Sequence, residues 1–447
     1  MVSIEPNTIV SNTIDVTLYD EGHTAASVIV ERLEQTTEFA AYKVDHPTDK
    51  TNSQYNVTAP ATYYDYTNYS VKPGNIDKYM ITSVLGKGKY SEVFKGIERT
   101  YSDKKDSLQE RSSRITTNIS STVVIKVLKP IKPSKIFREI LVLDNLNHKN
   151  IIKLKDVVSD KSTRTHSLVF SYLSHQDSYT AFESCDLQEC IEYSRQILEG
   201  LAYAHSKGIM HRDIKPGNII ISDDLGNISN TKTFLKIIDW GLAEFYHPKK
   251  DYSVRVASKF YKSPELLLDY PYYDYSLDIW AFGCILAEMI TKKQPFFYTK
   301  RKSSVLINTE ISKCQIKTPP NSTSSQNNLV NHQTIDKKVF RNEHLSSNVH
   351  NTSMSTLKKN DSILGEIVRI LGKEDLRNYI AKYEININKN NEAIIDRISG
   401  CEKRRDLREF VENETFLSIV EVLESIFVYD HRDRPTAEEL LRHKIFQ

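Results

Sequence analysis

The sequence predicts an α+β fold in two lobes, a small β-rich N-lobe over about 79–172 and a larger, mainly helical C-lobe over 173–447. Three observations carry this. A glycine-rich run, Leu85-Gly86-Lys87-Gly88-Lys89-Tyr90-Ser91-Glu92-Val93, precedes an apolar strand that ends in lysine, Val123-Val124-Ile125-Lys126. A helical spacing of apolar residues (Ile136, Ile140, Leu143, Leu146) carries Glu139, thirteen residues after Lys126. Further on, His211-Arg212-Asp213-Ile214-Lys215-Pro216-Gly217-Asn218 stands about twenty residues before Asp239-Trp240-Gly241, and an apolar helix opens at Asp278-Ile279-Trp280. A chain of 447 residues with 39% hydrophobic content has enough apolar material for two such lobes.

Each element has a chemical reason. Glycines let backbone N–H groups approach phosphates with no Cβ in the way, and Ser91 stands where a third glycine is usual. A G-x-G alone fits any tight turn; here its weight comes from the strand that follows. Lys126 is expected to hold α- and β-phosphates and to pair with Glu139. Phosphoryl transfer needs one carboxylate for the substrate proton and oxygen ligands for Mg²⁺ from two further points of the fold. Asp213 suits the first role, Asn218 and Asp239 the second, and Lys215 lies where negative charge grows on the γ-phosphate. The set resembles the machinery of protein kinases, and a lysine two residues after the aspartate is their Ser/Thr form. No G-x-x-x-x-G-K-[ST] occurs, which excludes a P-loop NTPase. The stretch from Asp239 to Ser263-Pro264-Glu265 reads as the activation segment, with Arg434 the expected partner of Glu265. Asp278 and His211 read as structural supports of the catalytic loop, not as catalysts.

Residues 60–298 and 360–447 resemble the catalytic alpha subunit of casein kinase II. The resemblance rests on Asp239-Trp240-Gly241, on Gly241-Leu242-Ala243-Glu244-Phe245-Tyr246-His247-Pro248, and on Arg255-Val256-Ala257-Ser258-Lys259. It extends to Gly208-Ile209-Met210, the string from Leu371 to Leu376, Tyr429-Asp430-His431, and Val124 before Ile125-Lys126. The resemblance implies a bilobal protein kinase fold and a constitutively active, acidophilic Ser/Thr kinase that uses ATP or GTP with Mg²⁺. It implies nucleotide contacts from Leu85 through Val93, from Val124 and Lys126, from Phe170 as gatekeeper, from Leu173 in the hinge, and from Ile220 and Ile238. Acidic residues after the target hydroxyl would meet Arg255, Lys259, Lys262, Lys132 and Lys135. A segment at 59–78, with Tyr63-Tyr64-Asp65-Tyr66, would brace the activation loop, the family carrying a Trp at the second of these positions. A regulatory beta-subunit dimer would dock at the hairpin from Ser159 to Thr165 and build a heterotetramer, in nucleus and cytoplasm. The competing reading is a pseudokinase or scaffold; the complete set Lys126, Glu139, Asp213, Lys215, Asn218 and Asp239 favours transfer.

Some features depart from that pattern. Pro133, Ser134 and Phe137 stand where the family's lysine run is expected, so acid preference should be redistributed. Polar inserts at about 98–121 and 299–359 read as surface excursions. From Lys300 to Lys359 ten Lys and Arg face three acids, a local excess of seven positive charges. A net charge of +2 implies no general affinity for nucleic acid. Residues 1–58 are unassigned, with a hint of an amphipathic helix at Ala26, Ile29, Val30, Leu33 and Ala40. The five cysteines show no zinc spacing and suggest reduced thiols, and no apolar run reaches the length of a membrane span.

Overall fold

A computed structural model describes residues 59–102, 116–160, 162–163, 165–222, 233–298 and 357–447. The extension 1–58, with its expected helix, and most of the 299–359 insert lie outside the described residues.

Five antiparallel strands build the N-lobe: β1 (Tyr79–Lys87), β2 (Ser91–Ser102), β3 (Thr116–Leu128), β4 (Leu154–Asp160) and β5 (Thr165–Ser171), in the order β1-β2-β3-β5-β4. The side-chain period of two divides the work of β3. Val123 and Ile125 are buried in the sheet, which leaves Val124 and Lys126 on the opposite face. The β2–β3 ladder runs on past a bulge between Glu98 and Arg99 to the pair Ser102↔Thr116. The expected excursion at 98–121 therefore enters and leaves as paired strand. Its backbone groups satisfy one another in the ladder, which a polar composition does not prevent.

Helix α1 (Pro133–Asn145) begins at Pro133, one of the departures noted above. Proline suits the first helical position, because its fixed φ is already helical and its missing N–H would have no partner there. The helix buries Ile136, Glu139, Ile140 and Leu143, and so turns one carboxylate toward β3 along with its apolar stripe.

The C-lobe contains α2 (Ser178–Ser184), α3 (Leu187–Ser206), α4 (Pro264–Leu267), α5 (Ser276–Thr291), α6 (Leu357–Leu371), α7 (Lys373–Lys382), α8 (Lys389–Arg397), α9 (Leu417–Ile426) and α10 (Ala437–Leu441). Two short ladders hold its upper surface, β6 (Ile209–Met210) with β9 (Glu244–Phe245), and β7 (Ile219–Ser222) with β8 (Phe234–Ile237). Helix α6 starts at Leu357, inside the last residues assigned above to the insert.

Helix α5 is buried from Ser276 to Ile290, which explains why its sequence is apolar on every side. Asp278 in its first turn and Glu288 near its end are buried carboxylates, and burial pushes the Glu288 carboxyl up to about 8 although Tyr261 Oη donates to it at 3.2 Å. Packing against α9 is tight. A Cβ at Gly283 would lie 2.5 Å from Ile426 Cγ2 and 3.1 Å from Phe427 Cε1. Gly283→Ala should therefore cost about 1–3 kcal/mol despite alanine's better helix propensity, as overpacked cores do. A lower denaturant midpoint with unchanged slope is the expected reading; a stabilised variant would show that α9 can recede.

Candidate active site

The catalytic loop leaves β6 in a strained turn. Arg212 (φ 66°) and Asp239 (φ 60°) both occupy left-handed backbone, unusual for residues with a Cβ and costing about 1–3 kcal/mol each. Asp278, in the first turn of α5, offsets this strain. Its Oδ2 accepts the His211 N–H and its Oδ1 the Arg212 N–H, each at 2.8 Å. His205 Nε2 lies 3.1 Å from the same carboxylate. Burial would raise the Asp278 carboxyl, but the His205 contact, the nearby His211 ring and the loop amide hold it below its ordinary value. His211 packs its ring edge-on to Trp240 at 4.6 Å, with Nε2 3.0 Å from Ile238 O. Both residues are scaffolding.

That scaffold presents Asp213. Lys215 Nζ donates to Asp213 Oδ2 at 2.7 Å, and Asn218 Nδ2 donates to the same oxygen at 3.1 Å. Ser258 Oγ donates to Asp213 Oδ1 at 2.8 Å and receives Lys215 Nζ at 2.9 Å. No local pattern announces the Ser258–Asp213 bond, which joins positions 45 residues apart. It ties the segment around Ser258 to the Asp213 carboxylate.

On the opposite side, Lys126 Nζ bonds to Glu139 Oε1 and to Asp239 Oδ1, both at 2.7 Å. One ammonium thus joins β3, α1 and the turn after β8. Burial alone would lower the Lys126 pKa; the two carboxylates outweigh it and raise it. Asp239 is held below its ordinary value, because Lys126 overcomes the effect of burial.

Between these groups lies a cavity of about 240 Å³. Leu85, Ser91, Val93, Val124, Phe170, Leu173, Ile220 and Ile238 supply its walls, and Lys126, Asn218 and Asp239 its polar end. Gly86, Lys87, Gly88, Lys89, Tyr90 and Glu92 do not line it and belong to the β1–β2 hairpin, where Gly88 N–H donates to Ser91 O at 2.8 Å. Leu143, Ile152, His175 and Trp240 also line the cavity; Leu143 was marked only by helical spacing and Trp240 only by the run Asp239-Trp240-Gly241, and nothing in the local sequence marked Ile152 or His175.

The donor set suits Mg²⁺, which binds one or two protein oxygens and completes its shell from phosphate and water. Asn218 Nδ2 also donates to Asp213 O at 2.8 Å, which turns its Oδ1 away from Asp213. Asp239 keeps nearly half its side chain exposed. These two residues would hold the ion, and among the described residues no cluster of three or more His, Cys, Asp or Glu offers a rival site. No helix among the described residues is long and apolar enough to cross a membrane.

The basic residues separate into two groups. Arg255 and Lys259 are exposed on the activation segment, whereas Lys132 and Lys135 are exposed at the start of α1, Lys135 Nζ lying 5.9 Å from the Tyr90 ring centroid. Lys262 is half-buried and donates to Val256 O at 2.6 Å and Val254 O at 3.2 Å. Burial lowers its pKa. In this structure its ammonium braces the segment from within.

The fold and the site are those of a protein kinase, and the protein kinase domain model matches residues 79–446. A curated relative, "Probable casein kinase II subunit alpha homolog" of Encephalitozoon cuniculi (strain GB-M1), is 40% identical over 401 residues, covering 89% of this chain and 97% of the relative. The chain belongs to the casein kinase II alpha family of protein kinases.

Proposed function

We propose that this kinase is constitutively active and transfers the γ-phosphate of ATP, or of GTP, to protein Ser or Thr followed by acidic residues. One observation carries the reading. Glu244 is buried on β9, where its Oε2 meets Arg138 Nη1 at 2.6 Å and Arg212 Nη2 at 3.7 Å. Arg138 neighbours Glu139 on α1, and Arg212 precedes Asp213. Many kinases gather such arginines around an activation-loop phosphate. Here a carboxylate of the chain occupies that place. The segment before the sheet adds to it: Tyr63 Oη donates to Lys207 O at 2.8 Å, its ring meets Phe245 edge-on at 5.5 Å, and Tyr64 meets His247 at 4.9 Å.

In the proposed reaction Asp213 orients the substrate hydroxyl and accepts its proton. Lys215 offsets charge on the transferred group, and Lys126 positions the nucleotide phosphates. Bound Mg²⁺, held by Asn218 and Asp239, would supply Lewis-acid neutralisation of the phosphates. Chain made without any kinase present should be fully active; a protein inert until phosphorylated in its activation segment would overturn the reading. Glu244→Gln should lower turnover about tenfold, the effect of moving roughly 1.4 kcal/mol against the competent arrangement of α1.

Exposed Arg255 and Lys259 support a preference for acid close to the target hydroxyl. With Pro133, Ser134 and Phe137 in place of basic residues, preference farther downstream should be flat. Each partly exposed Lys–carboxylate contact contributes at most about 1 kcal/mol, roughly fivefold in rate. Peptides varied one position at a time at low salt test this; a third-position acid as dominant as the first would refute it. The β4–β5 turn is the proposed dock for a regulatory beta-subunit dimer, and nucleus and cytoplasm the proposed location.

A further inference from the structure

Helix α2 is fastened to the catalytic loop by its first residue, the buried Ser178, whose Oγ donates to Pro216 O at 2.6 Å. Asp177 caps the helix, its Oδ2 accepting the Thr180 N–H at 2.9 Å and the Thr180 hydroxyl at 2.7 Å, and Ala181 and Phe182 bury its inner side. Tyr179 lies between these anchors. Gln294 Nε2 donates to its carbonyl at 3.1 Å, yet the residue is left 41% exposed. Its ring stands over Gly217. A Cβ at that glycine would lie 3.6 Å from Tyr179 Oη, 3.7 Å from Tyr179 Cε2 and 3.9 Å from Lys215 Cε. Gly217 has no side chain to cover the ring, and Lys215 Nζ leads directly to Asp213. The transfer step gives this exposed, firmly mounted aromatic no part.

We propose that Tyr179 selects the substrate residue two or three positions before the target hydroxyl, and that it takes a large apolar or aromatic side chain there. The inference rests on the acid-directed reading above, which sets the direction of the bound peptide. Ser258 brings the activation segment, with exposed Arg255 and Lys259, against Asp213. Tyr179 comes from a different element, α2, beyond Gly217. A peptide whose downstream acids follow the activation segment leads its upstream residues away from that segment, over Gly217 and the Tyr179 ring. Extended chain advances about 3.3 Å per residue, so the contacts that run from Asp213 through Lys215 and Gly217 to Tyr179 span about two to three residues.

The surroundings decide the class of side chain. The exposed ring offers apolar area and a stacked or edge-on partner for another aromatic. A basic side chain would meet the Lys215 ammonium beside the same glycine. An acidic one would gain little from it, because Lys215 Nζ already bonds to Asp213 and Ser258. The carboxylate of Asp177 is taken up in capping α2.

The test measures kcat/KM of the full chain on peptides that keep the same acids after the target serine. The second and third positions before the serine are varied one at a time through Phe, Leu, Gly, Lys and Glu. Phe and Leu at one of these positions should exceed Gly by about three- to tenfold, the range of aromatic contacts, with Lys and Glu close to Gly. Tyr179→Phe should keep that ratio, and Tyr179→Ala should abolish it. The ratio is the readout because a purely structural role would slow every peptide alike and leave it untouched. The proposal fails if the unmutated chain shows no such ratio or prefers Lys, or if Tyr179→Ala preserves it. A second series with the acids replaced by Gly separates the two readings. Equal rates with and without acids would count against the acid-directed function while a Tyr179-dependent ratio still upheld the contact; a strong acid preference with no dependence on Tyr179 would count against this inference alone.

Discussion

Asp213→Asn is expected to lower turnover by about 10²–10⁴ while nucleotide affinity stays near that of the unmutated chain. Asp213 is 7% exposed and is held by Lys215, Asn218 and Ser258, and it forms no part of the cavity wall. Asparagine is close to isosteric and keeps these neighbours near their places, but it cannot accept a proton. Pre-steady-state phosphoryl transfer and nucleotide titration separate the two effects. Near-normal turnover would remove Asp213 from the reaction, and a large loss of nucleotide affinity would mean that the loop had moved.

Breaking the Arg434–Glu265 pair should give the largest loss of stability, about 3–5 kcal/mol for Arg434→Met. Nη1 meets Oε1 and Nη2 meets Oε2, each at 2.8 Å, with both side chains fully buried. Arg434 also donates to Tyr429 O at 3.0 Å and Val428 O at 3.1 Å, tying the last loop to α4. Removing one partner strands a buried charge, whereas removing both does not. Arg434→Met with Glu265→Leu should therefore recover much of the loss in a urea double-mutant cycle. The pH dependence has a definite sign. Burial would raise the Glu265 carboxyl, but Arg434 outweighs it and holds it below the ordinary value. The unfolded chain then binds more protons in acid, so this stability is complete above the ordinary carboxylate pKa and is lost as pH falls through the folded value. Arg434→Met should flatten that acid limb.

What could be read beforehand was whatever short-range patterns encode. The apolar strand ending in Lys126 and the helical spacing of α1 were enough to expect Lys126 against Glu139, and the motif order suggested Asp278 as an anchor and Glu265 for Arg434. The rest depended on distant contacts. Ser258 was legible only as a hydroxyl on a loop, and its bonds to Asp213 and Lys215 need the activation segment folded back. Lys262 carried a charge that suggested an acidic substrate, but its ammonium faces two backbone carbonyls. Arg138 and Glu244 are 106 residues apart, so no local pattern joins them. Pro133 looked like a lost charge and acts as a helix start. Beyond Glu98 the polar composition suggested a surface excursion, and its described ends, up to Ser102 and from Thr116, are paired strand.

The Glu244 carboxylate has a further consequence on the proposed reading. A phosphate on an activation segment is a memory: one enzyme writes it, another erases it, and its lifetime carries information. A side chain written by the gene can be erased only by destroying the molecule. Such a kinase stores no record of past signals and works at a fixed level, like a constant in an equation. A cell would then alter its output through the number of copies made, their placement, a docked regulatory partner, or the supply of substrates, and the erasing of its signal would fall to the opposing phosphatases.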